Sequence, residues 1–103
     1  MALEEEFMQA LEGTIEAAKK RGYVPAYFIQ MLHEHGGSET AKRLLAKSEP
    51  QTGLFELWEL GLLHESMEAV LCDHPRFHGL VEKEHLAEAQ RRLEELGYFK
   101  KGK

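Results

Sequence analysis

Apolar residues near the start of the chain fall at Leu3, Phe7, Leu11, Ile15 and Ala18, spacings of four and three that only a helix keeps on one side. A first helix is predicted there. Glu4, Glu5 and Glu6 sit at the positive end of its backbone dipole and Lys19, Lys20 and Arg21 at the negative end. Gly22 supplies the left-handed residue that closes a helix, with Tyr23 and Val24 as the apolar contact behind it. Pro25, whose missing amide hydrogen would have no partner in a first turn, predicts the start of a second helix running to about His35. Phe28, Ile29 and Leu32 would face inward, with His35 at the end of that face, and Gly36-Gly37 stops the helix. Ser38 is expected to cap a third helix with Glu39 in its first turn, Lys47 in its last, and Ala41, Leu44 and Leu45 on its buried side.

Ser48-Glu49-Pro50 breaks that helix, and Thr52 can cap a fourth. Leu54, Phe55, Leu57, Trp58 and Leu60 make this fourth helix apolar around most of its circumference, which predicts the most buried element and the centre of the core. Gly61 turns the chain into a fifth helix carrying Leu63, Met67, Val70 and Leu71. Asp73 is expected to cap a short turn from His74-Pro75 that docks Phe77 and Leu80 on the core. A last helix from about Lys83 to Leu96 carries Leu86, Ala89, Leu93 and Leu96 at helical spacing, and Gly97 closes it, followed by Tyr98 and Phe99. No segment alternates apolar and polar residues with period two for long enough to make a strand. The prediction is an all-α fold, a compact bundle of five or six short helices forming one domain over residues 1–99, with 100–103 as a polar tail. The two Gly-Tyr helix exits are not accompanied by matching segments, so no internal repeat is expected.

Length and composition then restrict the class. A chain of 103 residues has room for one core, and 43% hydrophobic with 30% charged residues is a globular composition. Apolar stretches such as Leu60 to Leu63, interrupted by Gly61, are far from the roughly 20 residues a bilayer-spanning helix needs, so no membrane partner is expected. The acidic start, Glu4 to Glu6, lies where an export signal carries base, and Cys72 is alone; together they predict a cytoplasmic protein without an internal disulfide. A net charge of −5 sets up a field that repels phosphate backbones as a whole.

Six histidines are the most unusual feature of the composition. His33 and His35 are two apart and diverge on a helix, whereas His74 and His78 are four apart, the spacing of a helical metal pair to which Asp73 or Glu82 would add oxygen. Pro75 and Gly79 disfavour a regular helix there, and Cys72 completes no cysteine pattern, so no metal and no cofactor are expected. His33, His35 and Ser38 around Gly36-Gly37 form a candidate polar site, in which a base would stand beside a glycine turn able to cradle an anion at a helix start. The competing explanation is a helix stop followed by a helix cap. Ser38 or Ser66 beside a histidine has no motif to support nucleophilic chemistry, so no catalytic residue is assigned and an enzyme is the less favoured class. Lys42, Arg43, Lys47, Arg91 and Arg92 form a candidate basic face for nucleic acid, against which Glu39 with Arg43 and Glu88 with Arg92 are spaced as ordinary helix-surface pairs. Tyr23, Tyr27, Phe28, Trp58, Phe77, Tyr98 and Phe99 would supply a partner surface wherever they remain exposed.

From Gly22 to Phe99 the chain resembles a small bacterial all-helical module. The residues that carry the likeness are Gly22-Tyr23-Val24-Pro25-Ala26-Tyr27-Phe28, Met31-Leu32-His33-Glu34-His35-Gly36-Gly37, Thr40-Ala41-Lys42-Arg43-Leu44-Leu45, Leu57-Trp58-Glu59-Leu60-Gly61 and Ser66-Met67-Glu68-Ala69-Val70-Leu71. The resemblance implies a cytoplasmic accessory or interaction module and brings no catalytic residue with it. Three functions from different classes follow as expectations: a helical module that binds a protein partner or a second copy of itself, a nucleic-acid accessory domain using the basic face, and a small histidine-based metal or enzyme site.

Overall fold

Among the described residues the helical stripes assemble as six α-helices, with two turns of 3-10 helix in the second half. The computed structural model describes residues 2–46 and 52–99. In chain order the helices are α1 (Ala2–Lys20), α2 (Ala26–His35), α3 (Gly37–Leu45), α4 (Thr52–Glu59), α5 (Met67–Asp73) and α6 (Lys83–Glu95), with 3-10 turns at Leu63–Glu65 and Pro75–Leu80. Among the described residues there is no strand, so the fold is all-α. The Cα radius of gyration is 12.7 Å, close to the ~13 Å of a compact chain of roughly 100 residues. The Ser48-Glu49-Pro50 break, Lys47, the Thr52 cap and the tail 100–103 lie outside what is described.

Three helices end by the same device. The N–H of Tyr23 reaches the carbonyl of Ala18 at 2.9 Å, that of Leu62 reaches Leu57 at 2.8 Å, and that of Tyr98 reaches Leu93 at 2.9 Å. In each case the intervening Gly22, Gly61 or Gly97 has φ near +80°, a left-handed backbone that a side chain would strain. At the first exit the apolar contact is made by Tyr23, which joins Ala18, Leu57 and Leu62, whereas Val24 is exposed. Pro25 lies one residue before α2, and its carbonyl accepts from Ile29 N–H at 3.0 Å.

The main core gathers Phe7, Leu11 and Ile15 of α1 with Met31, Leu32, Ala41, Leu44 and Leu45 of the next two helices. Met67, Val70 and Leu71 of α5, Phe77, Val81, and Ala89 of α6 close it from the other side. The expected position of α4 at its centre is corrected here. This helix buries Leu54 and Leu57 in two smaller satellite clusters and leaves Phe55 and Trp58 exposed, because only the side that carries the two leucines is covered.

The fifth helix begins later than its apolar pattern implies, since Leu63–Glu65 forms a 3-10 turn and Ser66 starts α5. Ser66 is fully buried; its Oγ accepts from Ala69 N–H at 3.1 Å and donates to the Leu63 carbonyl at 2.7 Å. One hydroxyl thus satisfies both the exit of the turn and the entry of the helix. Ser66→Ala is expected to lower folding stability by about 1–2 kcal/mol in urea unfolding, because the buried Ala69 amide loses its acceptor and the Leu63 carbonyl keeps only the backbone N–H of residue 66.

Candidate functional site

The glycine turn after α2 is built by packing. A Cβ on Gly37 would lie 3.0 Å from Phe7 Cδ2 and 3.6 Å from Leu11 Cδ1, so the start of α3 approaches α1 as closely as a bare backbone allows. Gly36, with φ of 82°, redirects the chain just before it. The amide of Ser38 at this helix start does face a negative charge, and the charge belongs to the chain itself: Ser38 N–H donates to Glu4 Oε2 at 3.1 Å. The expected cap by the Ser38 side chain is therefore corrected, because α3 starts at Gly37, its cap position is Gly36, and Glu4 of α1 does the capping across the interface. Of the three candidate polar residues, His33 is exposed and His35 is half-buried with Nε2 3.7 Å from Glu34 Oε1. Ser38 presents its backbone to Glu4, and the carboxylate occupies the place an external anion would take. Glu4→Ala is expected to cost about 1 kcal/mol and to speed hydrogen exchange at the Ser38 amide, as loss of a cap does.

The remaining histidines are dispersed. His85 Nδ1 accepts from the backbone N–H of Glu82 at 3.0 Å at the start of α6, and His64 lies exposed with Nε2 3.6 Å from Glu65 Oε2. His74 and His78 flank the 3-10 turn Pro75–Leu80, where their four-residue spacing does not align them as it would on an α-helix. Among the described residues no group of three or more His, Cys, Asp or Glu side chains is arranged to hold a metal ion. Asp73, expected as a cap, accepts instead from the Tyr98 hydroxyl and so fastens the exit of α6 to α5. Burial pushes the Cys72 thiol up to about 11, with Asp73 and Glu68 adding to the effect, which keeps it a neutral packing group.

Of the candidate basic face, the described members Lys42, Arg43, Arg91 and Arg92 do not form one open cationic surface; Lys47 lies outside the described residues. Arg43 is exposed with its Nε 3.0 Å from Glu39 Oε2, and Lys42 is half-buried on the same helix. Arg91 is exposed and held by two carboxylates, Glu88 and Glu95, each at 2.6 Å. Arg92, its neighbour in sequence, points the other way and is only 4% exposed. Its Nη1 donates to Glu68 Oε2 at 3.2 Å, its Nη2 to the Leu44 carbonyl at 2.9 Å and its Nε to Glu88 Oε2 at 2.7 Å. This guanidinium ties α5, α6 and the last turn of α3 together. Burial raises the Glu68 carboxyl above its ordinary range, opposed by its own backbone N–H and by Arg92. Glu88 is held down to about 2, chiefly by the N–H groups of Arg91 and then by those of Arg92.

What the surface does collect is aromatic. Phe55 is 47% and Trp58 42% exposed, and their rings touch at 5.2 Å between centroids on the outward side of α4. Leu54 and Leu57 anchor the buried side of that helix, which fixes the pair in place. Glu59 is exposed beside it, Glu56 is half-buried three residues earlier, and α4 carries no Lys or Arg. The all-round apolar pattern of α4 contained this signal, because a helix of eight residues at the edge of a small core can bury only one side. Comparison of the chain with protein-family models, with curated proteins and with solved structures returned no match.

Proposed function

We propose that this chain is a non-enzymatic helical interaction or accessory module of the bacterial cytoplasm, and that it meets a protein partner through the outer side of α4. The observation that carries this reading is the exposed Phe55–Trp58 pair. Two large rings held in contact by a packed helix are costly to leave in water, and aromatic anchors of this kind dominate binding energy at protein interfaces. The bacterial and cytoplasmic parts rest on the resemblance and on the lone Cys72, in keeping with the absence, among the described residues, of any helix long and apolar enough to cross a membrane.

The test is affinity capture from a bacterial lysate with three baits: the unaltered chain, Phe55→Ser/Trp58→Ser, and Lys42→Glu/Arg43→Glu. All four side chains involved lie at or near the surface, so each bait should keep its helical circular dichroism. A protein recovered by the first and third baits, insensitive to nuclease and lost from the second, is the expected result. Recovery that disappears with nuclease, or with the Lys42 and Arg43 reversal alone, would replace this reading by the nucleic-acid accessory domain.

A further inference from the structure

The charge around the aromatic pair narrows the partner. We infer that the α4 surface takes a cationic amphipathic segment of another protein, one that places apolar side chains on Phe55 and Trp58 and Lys or Arg against Glu59 and Glu56; this rests on the interaction reading above. At about 100° per residue, Trp58, Phe55 and Glu59 follow one another around a single flank of the helix, with Glu56 at the far edge. Every ionisable side chain of α4 is acidic, on a chain whose net charge is −5. The negative character of Glu56 reaches the inner edge too, where it adds to burial in raising the Tyr23 phenol.

The sign of this charge separates the occupants. A nucleic acid or an anionic lipid surface would meet Glu59 with like charge. A second copy paired about a two-fold axis would bring the same acidic flank against itself, setting carboxylates against carboxylates at the edge of the aromatic contact. The basic end of α1, Lys19 to Arg21, follows Ala18, which packs with Leu57 on the inner side of α4. A cationic segment turns each of these features to advantage, because Trp is the best face for a Lys or Arg cation and Glu59 pairs with the same charge.

Trp58 is the only tryptophan, so its emission reports on this surface alone. The probe is a synthetic helical peptide of leucine and lysine, compared with its leucine and glutamate counterpart and titrated at several salt concentrations. The expected result is a blue shift of Trp58 emission with the lysine peptide, weakening as salt rises, and little response to the glutamate peptide. Glu56→Lys/Glu59→Lys should weaken binding about tenfold or more, the scale of two partly exposed ion pairs reversed, while Glu12→Lys/Glu16→Lys, with an identical change of net charge on the exposed side of α1, should weaken it far less. The inference is overturned by equal binding of both peptides, by equal weakening in both variants, by no response of Trp58, or by a blue shift that grows with protein concentration alone. That last outcome would identify a second copy as the occupant and leave the interaction reading standing, whereas loss of the interaction reading is registered by the lysate capture.

Discussion

Arg92→Met should lower folding stability by about 3–5 kcal/mol at neutral pH, the cost of stranding one member of a buried ion pair. The guanidinium donates to Glu68, Glu88 and the Leu44 carbonyl from a site only 4% exposed, and methionine fills the volume without replacing any of these bonds. Against a total of about 5–15 kcal/mol for a domain, that loss is readily measured in urea. The double variant Glu68→Gln/Arg92→Met should be more stable than Arg92→Met alone, because the uncompensated charge goes with the glutamate; strict additivity of the two changes would sink the account. The pH dependence has a definite sign. Burial already raises the folded-state affinity of Glu68 for a proton, and removing Arg92 removes an opposing influence, so in the variant the folded chain binds that proton more tightly than the unfolded chain does. Stability of Arg92→Met relative to the unaltered chain should therefore recover as pH falls from 8 towards 5 and worsen as it rises. Glu88 acts in the opposite direction and lower on the scale: held down to about 2, it stabilises the fold above the ordinary carboxylate range and loses that contribution as pH falls towards 2.

The same arginine marks where sequence reasoning stops. Rules that act within one helix were legible: the stripes of α1 and α6, the glycine exits at Gly22 and Gly97, and the pairing of Glu88 with Arg92 all follow from spacing. Whether Arg92 looks outward with Arg91 or inward depends on Glu68, 24 residues away, and on the Leu44 carbonyl, 48 residues away, and neither is visible in the local pattern. A hint was present, since Arg92 follows Ala89 by three and so borders the apolar stripe of α6. Glu4 read as a partner for its own helix dipole and turned out to cap α3, because only the close approach at Gly37 brings that carboxylate to the Ser38 amide. Ser66 was hidden for a similar reason: a short 3-10 turn has no apolar period, so the boundary before α5 could not be seen. Trp58 and Phe55 were legible as apolar and illegible as exposed, because pattern reports which residues avoid water and says nothing of how much core exists to cover them.

Phe77→Ala should cost about 3–5 kcal/mol, as much as the loss of Arg92, although it sits in a six-residue 3-10 turn with no α-helix of its own. The turn holds itself together poorly: the Phe77 amide reaches the His74 carbonyl at 2.9 Å and the Val81 amide reaches His78 at 3.3 Å, and 3-10 geometry makes such bonds weaker than those of an α-helix. Its place is set by the Phe77 ring, which is completely buried in the main core 5.1 Å from the ring of Phe7. Arg76 adds an outer tie, its guanidinium 4.5 Å from the Phe77 ring and its Nε 3.1 Å from Glu6, so the first turns of α1 and this segment are joined twice. Removing the ring opens a cavity at the meeting point of α1, α5 and the turn, and it also loosens what holds Arg76 to α1. Hydrogen exchange should show the Phe77 and Val81 amides losing protection well before those of α6, and a Phe7→Ala, Phe77→Ala cycle should return a coupling of about 0.5–1.5 kcal/mol for the ring pair. Phe99→Ala, which removes an equally large ring from an exposed site, should change stability by no more than about 0.5 kcal/mol, and a comparable loss at both positions would mean that burial does not decide the energetics of this fold.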